Sequence, residues 1–251
     1  FSAGLAAAGM IPFCNIYSSF MQRAYDNVIH DVAIQDLPVV MCLDRGGLVG
    51  EDGVTHHGVF DMAAFGAVPG LTIAAPMNEP ELRNMMYTAL GSGHPFMIRY
   101  PRGHGEGLPW RGEKFETLPV GRGRRLREGA DVALLTVGTV GNAAARAAGR
   151  AAAEGVSVAH YDLRFVKPLD EALLDEVGRK FRRVVTVEDG SLRGGVGEAV
   201  AAFFNGRGYD VRVQRLGIGD EWVEHGTPGQ LYALCGYDEE GILRALLDTR
   251  A

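Results

Sequence analysis

The residues best suited to chemistry lie in one glycine-rich segment, residues 42–61 (CLDRGGLVGEDGVTHHGVFD). Its side chains are of the types that transfer protons or bind charged ligands: Asp44, Arg45, Glu51, Asp52, His56, His57 and Asp61. Glycines separate these residues and let the backbone approach a ligand closely. A hinge or a solvated turn would also be glycine-rich and polar. So many titratable groups of both signs nevertheless favour a binding or catalytic loop.

Two predicted strands end in polar residues of this kind. The apolar residues 39–43 (VVMCL) run directly into the glycine-rich segment, and open α/β sheets place their ligand sites at the carboxyl ends of strands. A second predicted strand, residues 95–100, ends in Pro101-Arg102-Gly103. An arginine there could bind an anion, although an arginine in a surface turn fits the pattern equally well.

A helix is predicted over residues 20–34, after a short strand over residues 11–17. Apolar side chains recur at helical spacing and would form its buried stripe: Met21, Ala24, Tyr25, Val28 and Val32. Phe20, Arg23 and Asp26 lie near its start and point elsewhere. By residue type alone, Phe20 is more often a core residue, and Arg23 with Asp26 is more often a surface ion pair.

The composition excludes two classes of protein. The chain has 251 residues, of which 47% are hydrophobic, and a net charge of −6, which argues against a dedicated nucleic-acid or membrane-surface protein. A basic cluster at residues 122–127 is expected to be a solvated face of a connector. No apolar run is long enough to span a bilayer. Cys14, Cys42 and Cys235 share no close spacing and are expected to be reduced thiols of a cytoplasmic protein.

Strands alternate with helices in both halves of the chain, for example with helices over residues 79–90 and 171–180. This pattern predicts two α/β domains, each a mainly parallel sheet flanked by helices. A stretch rich in glycine and proline separates them, and the predicted boundaries are residues 1–107, a linker over 108–119, and residues 120–251. Residues 1–9 are expected to be the second half of a helix, so the chain is interpreted as a fragment.

Four runs together resemble a known family. They are residues 17–39 (YSSFMQRAYDNVIHDVAIQDLPV), 44–61, 98–103 (IRYPRG) and 164–174 (RFVKPLDEALL), and they resemble 1-deoxy-D-xylulose-5-phosphate synthase, a thiamine diphosphate enzyme related to transketolase. The pattern within residues 44–58 would also suit transketolases and the β subunits of 2-oxo-acid dehydrogenases. QRAYD followed by HDVAIQ favours the synthase. The resemblance implies a transketolase pyrimidine-binding domain followed by a transketolase C-terminal domain.

The resemblance also implies a cofactor site. Phe20 resembles the aromatic residue that stacks on the aminopyrimidine of thiamine diphosphate, and Tyr17 and Arg23 match neighbours that line the site. The diphosphate and Mg²⁺ are held in the family by a preceding domain that this chain does not match. Residues 51–53 with Asn78 mimic that domain's metal motif but lack its first glycine, so no metal site is expected here.

The substrate residues follow from the same resemblance. Asp52 and His56 match catalytic groups that line the substrate pocket and act on the donor-derived intermediate, and His57 is treated as their neighbour. Arg45 and Arg102 match the arginines that bind the phosphate of glyceraldehyde 3-phosphate. The second domain shows no strong catalytic constellation of its own, since Glu188, Asp189 and His225 are more typical of structural or interface groups.

The implied enzyme is a transferase that condenses pyruvate with D-glyceraldehyde 3-phosphate, with loss of carbon dioxide, in isoprenoid and thiamine or pyridoxal precursor biosynthesis. It would be a cytoplasmic homodimer with no nucleic-acid or membrane partner. The family's catalytic glutamate lies upstream of Phe1, so this fragment is expected to be inactive alone. Two alternatives remain: another thiamine diphosphate enzyme (a transketolase or a dehydrogenase β subunit), or a non-catalytic module that retains the fold.

Overall fold

The structure is a computed structural model that describes residues 1–248. In chain order, its strands are β1 (Phe13–Tyr17), β2 (Val40–Asp44), β3 (Thr72–Ala74), β4 (Phe96–Arg99), β5 (Arg124–Arg127), β6 (Val132–Val137), β7 (Val158–Asp162), β8 (Phe165–Lys167), β9 (Arg183–Ser191) and β10 (Arg212–Ile218). Its α-helices are α1 (Ser2–Ala7), α2 (Ser18–Met21), α3 (Tyr25–Asn27), α4 (Asp61–Gly66), α5 (Glu79–Leu90), α6 (Val140–Ala153), α7 (Glu171–Lys180), α8 (Val196–Gly206), α9 (Pro228–Leu234) and α10 (Glu239–Leu247).

The described strands form two five-stranded sheets. The first has the order β1-β2-β4-β3-β8 and the second the order β10-β9-β6-β7-β5. Neighbours in each sheet are parallel except for one edge strand, β8 in the first sheet and β5 in the second. Helices connect the parallel strands, as such crossovers require. The prediction of two mainly parallel α/β units is confirmed.

Both sheets are covered on both faces, which explains their uninterrupted apolar strands. Along β2, Val40 and Cys42 pack into one core cluster, whereas Met41 and Leu43 pack into another. This alternation follows from the two-residue period of a strand. In the second sheet, β6 is buried along its whole length. The carboxyl ends of these rigid strands are therefore well-fixed points from which site residues can project.

The helical segment after β1 is less regular than the predicted helix over residues 20–34. Between α2 and the end of the segment the backbone changes from α-helix to a 3₁₀ turn at Gln22–Ala24, then to α3, and then to a π-helix at Val28–Ala33. Met21, Val28 and Val32 are buried as predicted, but Tyr25 is 36% exposed. The changes in helical pitch alter which side chains share a face, so a constant 3.6-residue period misplaces Tyr25.

The basic cluster at residues 122–127 is solvated as predicted at Arg122, Arg125 and Arg127, which are exposed, but the prediction that it lies in a connector is wrong for residues 124–127. Residues 124–127 form β5, which pairs antiparallel with β7. Arg124 is 30% exposed and bridges to Asp162 (3.1 Å) and to Glu81 on α5 (2.8 Å). Acidic side chains that are distant in sequence thus neutralise this arginine and allow it to enter a sheet.

The two halves of the chain share the first sheet. Strand β8 lies well beyond the predicted linker, yet it pairs with β3 of the first half. Phe165 on β8 is fully buried, and its ring packs against that of Phe96 on β4 at a centroid distance of 6.4 Å. The second half therefore completes the sheet that carries the site residues. Residues 249–251, the end of the predicted second domain, lie outside the described residues.

Candidate functional site

Three parallel strands bring the predicted site residues to one edge of the first sheet. Tyr17 ends β1 and pairs with Asp44 at the end of β2. Beside them, the backbone N–H of Gly46 donates to the carbonyl of Tyr100, just beyond β4, at 2.9 Å. The start of α2, the glycine-rich segment after β2 and the loop after β4 consequently meet at the carboxyl edge, where such sheets bind ligands.

A stack of flat side chains forms the centre of the site. The rings of Tyr17 and Phe20 are parallel within 7°, with centroids 5.0 Å apart. The Arg45 guanidinium carbon lies 3.8 Å from the Tyr17 centroid, and that of Arg23 lies 5.8 Å from Phe20. The His56 ring meets Phe20 edge-on at 5.4 Å. Five of the predicted site residues are thus linked by one series of cation–π and aromatic contacts centred on Tyr17 and Phe20.

Arg45 is held in an unusual conformation. Its φ is +58°, and its Nη1 donates to Asp44 Oδ2 at 2.5 Å. Within residues 1–248, Arg45 Nε, Asp44 Oδ1 and the nearby Ser19 Oγ are buried without a hydrogen-bond partner. Unsatisfied buried polar atoms are costly. Their grouping around the stack marks a place where a ligand with polar groups would gain hydrogen bonds.

The second predicted phosphate-binding arginine lies at the rim. Arg102 Nη1 donates to Asp52 Oδ2 at 3.0 Å, and both side chains are more than 40% exposed. Arg102 also lines a cleft of ≈ 570 Å³ between the two halves of the chain, together with Tyr100, His104 and Arg146. Asp52 is thereby paired with Arg102, as Asp44 is with Arg45, so each predicted phosphate-binding arginine contacts a carboxylate.

The two adjacent histidines have different environments. His56 follows the 3₁₀ turn Gly53–Thr55, and its Nδ1 lies 2.9 Å from Thr55 Oγ1. His57 is buried; its Nδ1 accepts from the Val49 N–H at 3.1 Å, and its Nε2 faces the Glu224 carbonyl at 3.4 Å. An acceptor at Nδ1 and a carbonyl at Nε2 together select the neutral tautomer protonated at Nε2. His57 therefore holds the segment in place, while His56 faces the aromatic stack.

Sequence reasoning missed Arg99, which lies beneath the site. Its side chain is 5% exposed and its Nε donates to Asp61 Oδ2 at 2.8 Å, while its Nη2 donates to the carbonyls of Asp189 (2.9 Å) and Gly58 (3.3 Å). Asp61 Oδ2 also accepts from Ser18 Oγ at 3.0 Å. The sequence did contain a signal, because Arg99 is the last residue of an apolar strand. A charged side chain at such a buried position requires a charged or polar partner.

Glu188 and Asp189 lie near the end of β9 and are buried inside the protein. The pKa of Glu188 is raised by burial to about 7, although its carboxylate accepts the N–H groups of Val196 and Gly197 at 2.7 and 2.8 Å. Asp189 is 4% exposed and reaches across to the first half of the chain. His225 packs beside Gly53. These contacts are those of structural and interface groups.

Two further observations concern metals and membranes. Within residues 1–248, no group of three or more His, Cys, Asp or Glu side chains is arranged to hold a metal ion. Asn78 serves instead as the N-cap of α5, where its side chain accepts the Glu81 N–H at 3.1 Å. Among the described helices, none combines the length and the apolar character needed to cross a membrane.

Comparison with known families matches both halves of the chain. The model of the transketolase pyrimidine binding domain matches residues 1–106, and that of the transketolase C-terminal domain matches residues 121–242. The chain is 60% identical over its whole length to the 1-deoxy-D-xylulose-5-phosphate synthase of Bacteroides fragilis and 59% identical over 98% of its length to that of Bacteroides thetaiotaomicron. It spans 39% and 38% of the lengths of these relatives.

More distant relatives agree. A 1-deoxy-D-xylulose-5-phosphate synthase of Symbiobacterium thermophilum is 49% identical over 96% of the chain, which spans 37% of that relative. Among solved structures, a split-gene transketolase described as an inactive β4 tetramer superposes with a TM-score of 0.88 at 28% identity. The superposition covers 98% of this chain and 78% of the other. Fold and sequence comparisons therefore point to the same family.

Proposed function

Because the chain belongs to the 1-deoxy-D-xylulose-5-phosphate synthase family of transketolase-like proteins, we propose that it forms part of such an enzyme. The reaction is the condensation of pyruvate with D-glyceraldehyde 3-phosphate with loss of carbon dioxide, which supplies isoprenoid and thiamine precursors. The observation that carries this proposal is the cluster in which Tyr17, Phe20, Arg45 and His56 touch at one sheet edge.

The residues present fit an aromatic cofactor. Phe20 is only half-buried and offers a flat surface, and the unpartnered polar atoms of Ser19 and Asp44 lie in the same region. These features suit a ring that has both a π face and hydrogen-bonding edges, such as the aminopyrimidine of thiamine diphosphate. Phe20, Tyr17 and Arg23 would hold that ring. When bound, the cofactor supplies the electron sink that decarboxylation of a 2-oxo acid requires.

Arg45 and Arg102 would anchor the phosphate of the acceptor. A guanidinium binds phosphate through parallel N–H donors. In Arg45, Asp44 engages Nη1, which leaves the Nε and Nη2 donors on the other edge of the guanidinium. In Arg102, an incoming phosphate would compete with the Asp52 carboxylate. The Tyr17 ring under Arg45 fixes the plane of the guanidinium and lowers the entropy lost on binding.

Asp52 and His56 would act on the reacting groups. Both lie in the exposed part of the glycine-rich segment, on either side of the turn Gly53–Thr55. His56 is fixed against Phe20 and Thr55, so it can exchange protons with a substrate bound over the aromatic stack. Release of Asp52 from Arg102 by a phosphate would free its carboxylate to contact the substrate.

Further properties belong to the whole protein. We propose that the cofactor diphosphate and Mg²⁺ are held by a part of the enzyme outside these residues, as the resemblance to the family implies. We also propose that the protein is cytoplasmic, in keeping with its three free cysteines, and that it is a homodimer, as the resemblance to the family implies. On this proposal the chain has no activity when it is separated from the rest of the enzyme.

Product formation tests the proposal. The full-length protein, supplied with thiamine diphosphate, Mg²⁺, pyruvate and D-glyceraldehyde 3-phosphate, should form 1-deoxy-D-xylulose 5-phosphate, detected by mass spectrometry. Replacing the aldehyde with lipoamide, or pyruvate with a ketose phosphate donor, distinguishes the two related thiamine enzymes. The assignment would be overturned if product forms with lipoamide or with the ketose phosphate donor but not with pyruvate and D-glyceraldehyde 3-phosphate.

Arg102→Ala gives a sharper prediction. Loss of a charge-assisted phosphate contact should raise the KM for D-glyceraldehyde 3-phosphate by roughly tenfold and leave the KM for pyruvate unchanged. Arg182→Ala is the matched control, because Arg182 forms a similar exposed pair with Asp210 at 2.9 Å in the other half of the chain. An acceptor KM that stays at the wild-type value in Arg102→Ala removes this residue from the phosphate site.

A further inference from the structure

The glycine-rich segment that carries the proposed substrate residues, residues 45–60, is called the substrate loop below. Backbone groups of the second half of the chain hold it in the middle and towards its carboxyl-terminal end. The Ser191 N–H donates to the Val59 carbonyl at 2.9 Å, and the Gly226 N–H donates to the Gly50 carbonyl at 3.4 Å. His57 reaches the Glu224 carbonyl. The loop therefore takes its position from the second half as much as from its own strand.

One side chain of the second half bonds directly to the loop backbone. Asp189 Oδ1 accepts the Leu48 N–H at 3.0 Å. The same carboxylate accepts the hydroxyls of Tyr237 (2.8 Å) and Tyr232 (3.2 Å), and its backbone carbonyl accepts from Arg99 at 2.9 Å. Asp189 is 4% exposed. Four donors from three separated segments thus fix the orientation of this residue.

The loop is shaped to receive that carboxylate. Gly47 has a φ of +84°, and a Cβ built on it would lie 1.9 Å from Asp189 Oδ2. No side chain larger than a hydrogen atom fits this space, and the backbone conformation itself favours glycine. The close approach of Asp189 to residues 47–48 is therefore a built contact rather than an incidental one.

The contact between Asp189 and Leu48 lies between two proposed substrate residues of the loop, Arg45 and Asp52. Leu48 is three residues after Arg45 and four residues before Asp52. Gly47 also pairs with Gly58 through two backbone hydrogen bonds of 2.7 and 2.8 Å, so a shift at Gly47 is transmitted to the segment that follows His56. A displacement of this short backbone stretch moves both the arginine and the carboxylate.

We propose that Asp189 is a positioning residue of the second half of the chain, which sets the substrate loop in the conformation that recognises the phosphorylated acceptor. The inference rests on the proposed function for the identity of that acceptor. Asp189 touches no substrate; it acts through the Leu48 N–H on Arg45 and Asp52. The second half of the chain is then a component of acceptor recognition as well as a support for the sheet.

The kinetic test uses the full-length protein loaded with thiamine diphosphate and Mg²⁺. Asp189→Asn keeps the shape of the side chain but removes its charge and one acceptor oxygen. It should raise the acceptor KM by about tenfold and leave the pyruvate KM within twofold of wild type. Tyr237→Phe removes one donor to Asp189 and should produce a smaller shift in the same parameter. Asp175→Asn is the matched control, since Asp175 likewise accepts a tyrosine hydroxyl, that of Tyr209, at 2.9 Å.

Hydrogen–deuterium exchange gives a test that does not depend on activity. The Leu48 N–H donates to Asp189 Oδ1, and Gly47 and Gly58 each donate to the other's carbonyl, so these amides are protected while the loop is held in place. In the full-length protein, Asp189→Asn should speed the exchange of a peptide that covers residues 46–50, measured by mass spectrometry. Asp175→Asn should leave the exchange of that peptide at the wild-type rate.

The two tests separate the inference from the function on which it rests. A raised acceptor KM together with faster amide exchange in the loop supports the positioning role. An unchanged acceptor KM in an active enzyme, an equal rise of both KM values, or an unchanged exchange rate overturns it. Absence of synthase activity in the wild type overturns the proposed function instead, and the exchange comparison then decides whether Asp189 positions the loop.

Discussion

Replacing Arg99 with methionine should be among the most damaging single substitutions in the chain. Methionine fills much of the same volume but donates no hydrogen bond. The change removes the buried charged partner of Asp61 and the Arg99 hydrogen bonds to the carbonyls of Asp189 and Gly58, of which the Gly58 carbonyl keeps its bond from the Gly47 N–H. Because these groups join the substrate loop to α2 and to the second sheet, both stability and site geometry depend on this one guanidinium.

The magnitude follows from burial. The Arg99 and Asp61 side chains are 5% and 1% exposed, so water cannot replace the lost partner. Burial lowers the pKa of Arg99, but the charges of Asp61 and Asp189 outweigh this effect and keep the pKa above its ordinary value. Breaking a buried pair by removing one partner costs about 3–5 kcal/mol. We expect Arg99→Met to lose an amount in that range.

Urea unfolding followed by circular dichroism measures this loss, with Arg182→Met as the control. Arg182 pairs with Asp210 at a similar distance, 2.9 Å, but these side chains are 79% and 92% exposed. Exposed pairs contribute little to stability, so the control should unfold at the wild-type urea concentration. Asp61→Asn combined with Arg99→Met should cost less than the sum of the two single substitutions, because the residues act as one unit.

A small effect would refute the reasoning. If Arg99→Met unfolds at the same urea concentration as Arg182→Met, the buried pair is not what holds the substrate loop to the second sheet. If the single and double substitutions add without coupling, Arg99 and Asp61 contribute independently and the network described above does not exist as a unit.

Two further predictions concern the cofactor and pH. Phe20→Ala should raise the thiamine diphosphate concentration needed for half-maximal activity by about three- to tenfold, because an aromatic pair contributes roughly 0.5–1.5 kcal/mol, whereas Phe20→Tyr should bind the cofactor like wild type. Burial lowers the pKa of His160 from 6.5 to about 4. The associated stability, roughly 3 kcal/mol, is present above pH 6.5 and is lost as the pH falls towards 4. His160→Asn should abolish that loss in thermal unfolding measured across this range. Asp162 and Glu188, whose pKa values burial raises to about 6 and 7, destabilise the fold as the pH rises through those values. Asp162 and Glu188 have this effect in the wild type and in His160→Asn alike. If the two proteins show the same dependence of thermal stability on pH, the role assigned to His160 is contradicted.

Local signals predicted several elements well. Helices α5 and α7 begin and end at the residues predicted from the sequence. Asn78 and Asp170 explain where these helices begin, because each is an N-cap whose side chain accepts a backbone N–H of the first turn. The apolar runs that became β2 and β6 were equally clear, since strands covered on both faces leave an uninterrupted apolar sequence.

Elements whose residues are stabilised by distant partners were missed. Strand β5 is rich in arginine and resembled a solvated connector until Glu81 and Asp162 neutralised Arg124. Strand β8 is only three residues long and joins the sheet of the other half of the chain. Neither placement follows from local periodicity, because both depend on contacts between residues that are far apart in sequence.

In the candidate site, too, some residues could be predicted from the sequence and others depend on contacts between distant segments. Resemblance to a family supplied Tyr17, Phe20, Arg23, Arg45 and His56, which the structure brings into contact. The supporting network of Arg99 and Asp189 was not predicted, since charged residues are almost never fully buried unless they are paired. Their pairing became visible only once the two sheets were placed together.

The measurement that tests the central claim most directly is carbon dioxide release from pyruvate by the full-length protein with thiamine diphosphate and Mg²⁺, before and after D-glyceraldehyde 3-phosphate is added. We predict a strong rise on addition of the aldehyde, accompanied by formation of a ketose phosphate. Release that ignores the aldehyde but responds to lipoamide would contradict the proposal and indicate a dehydrogenase. No release with any acceptor would indicate a non-catalytic module that has kept the fold.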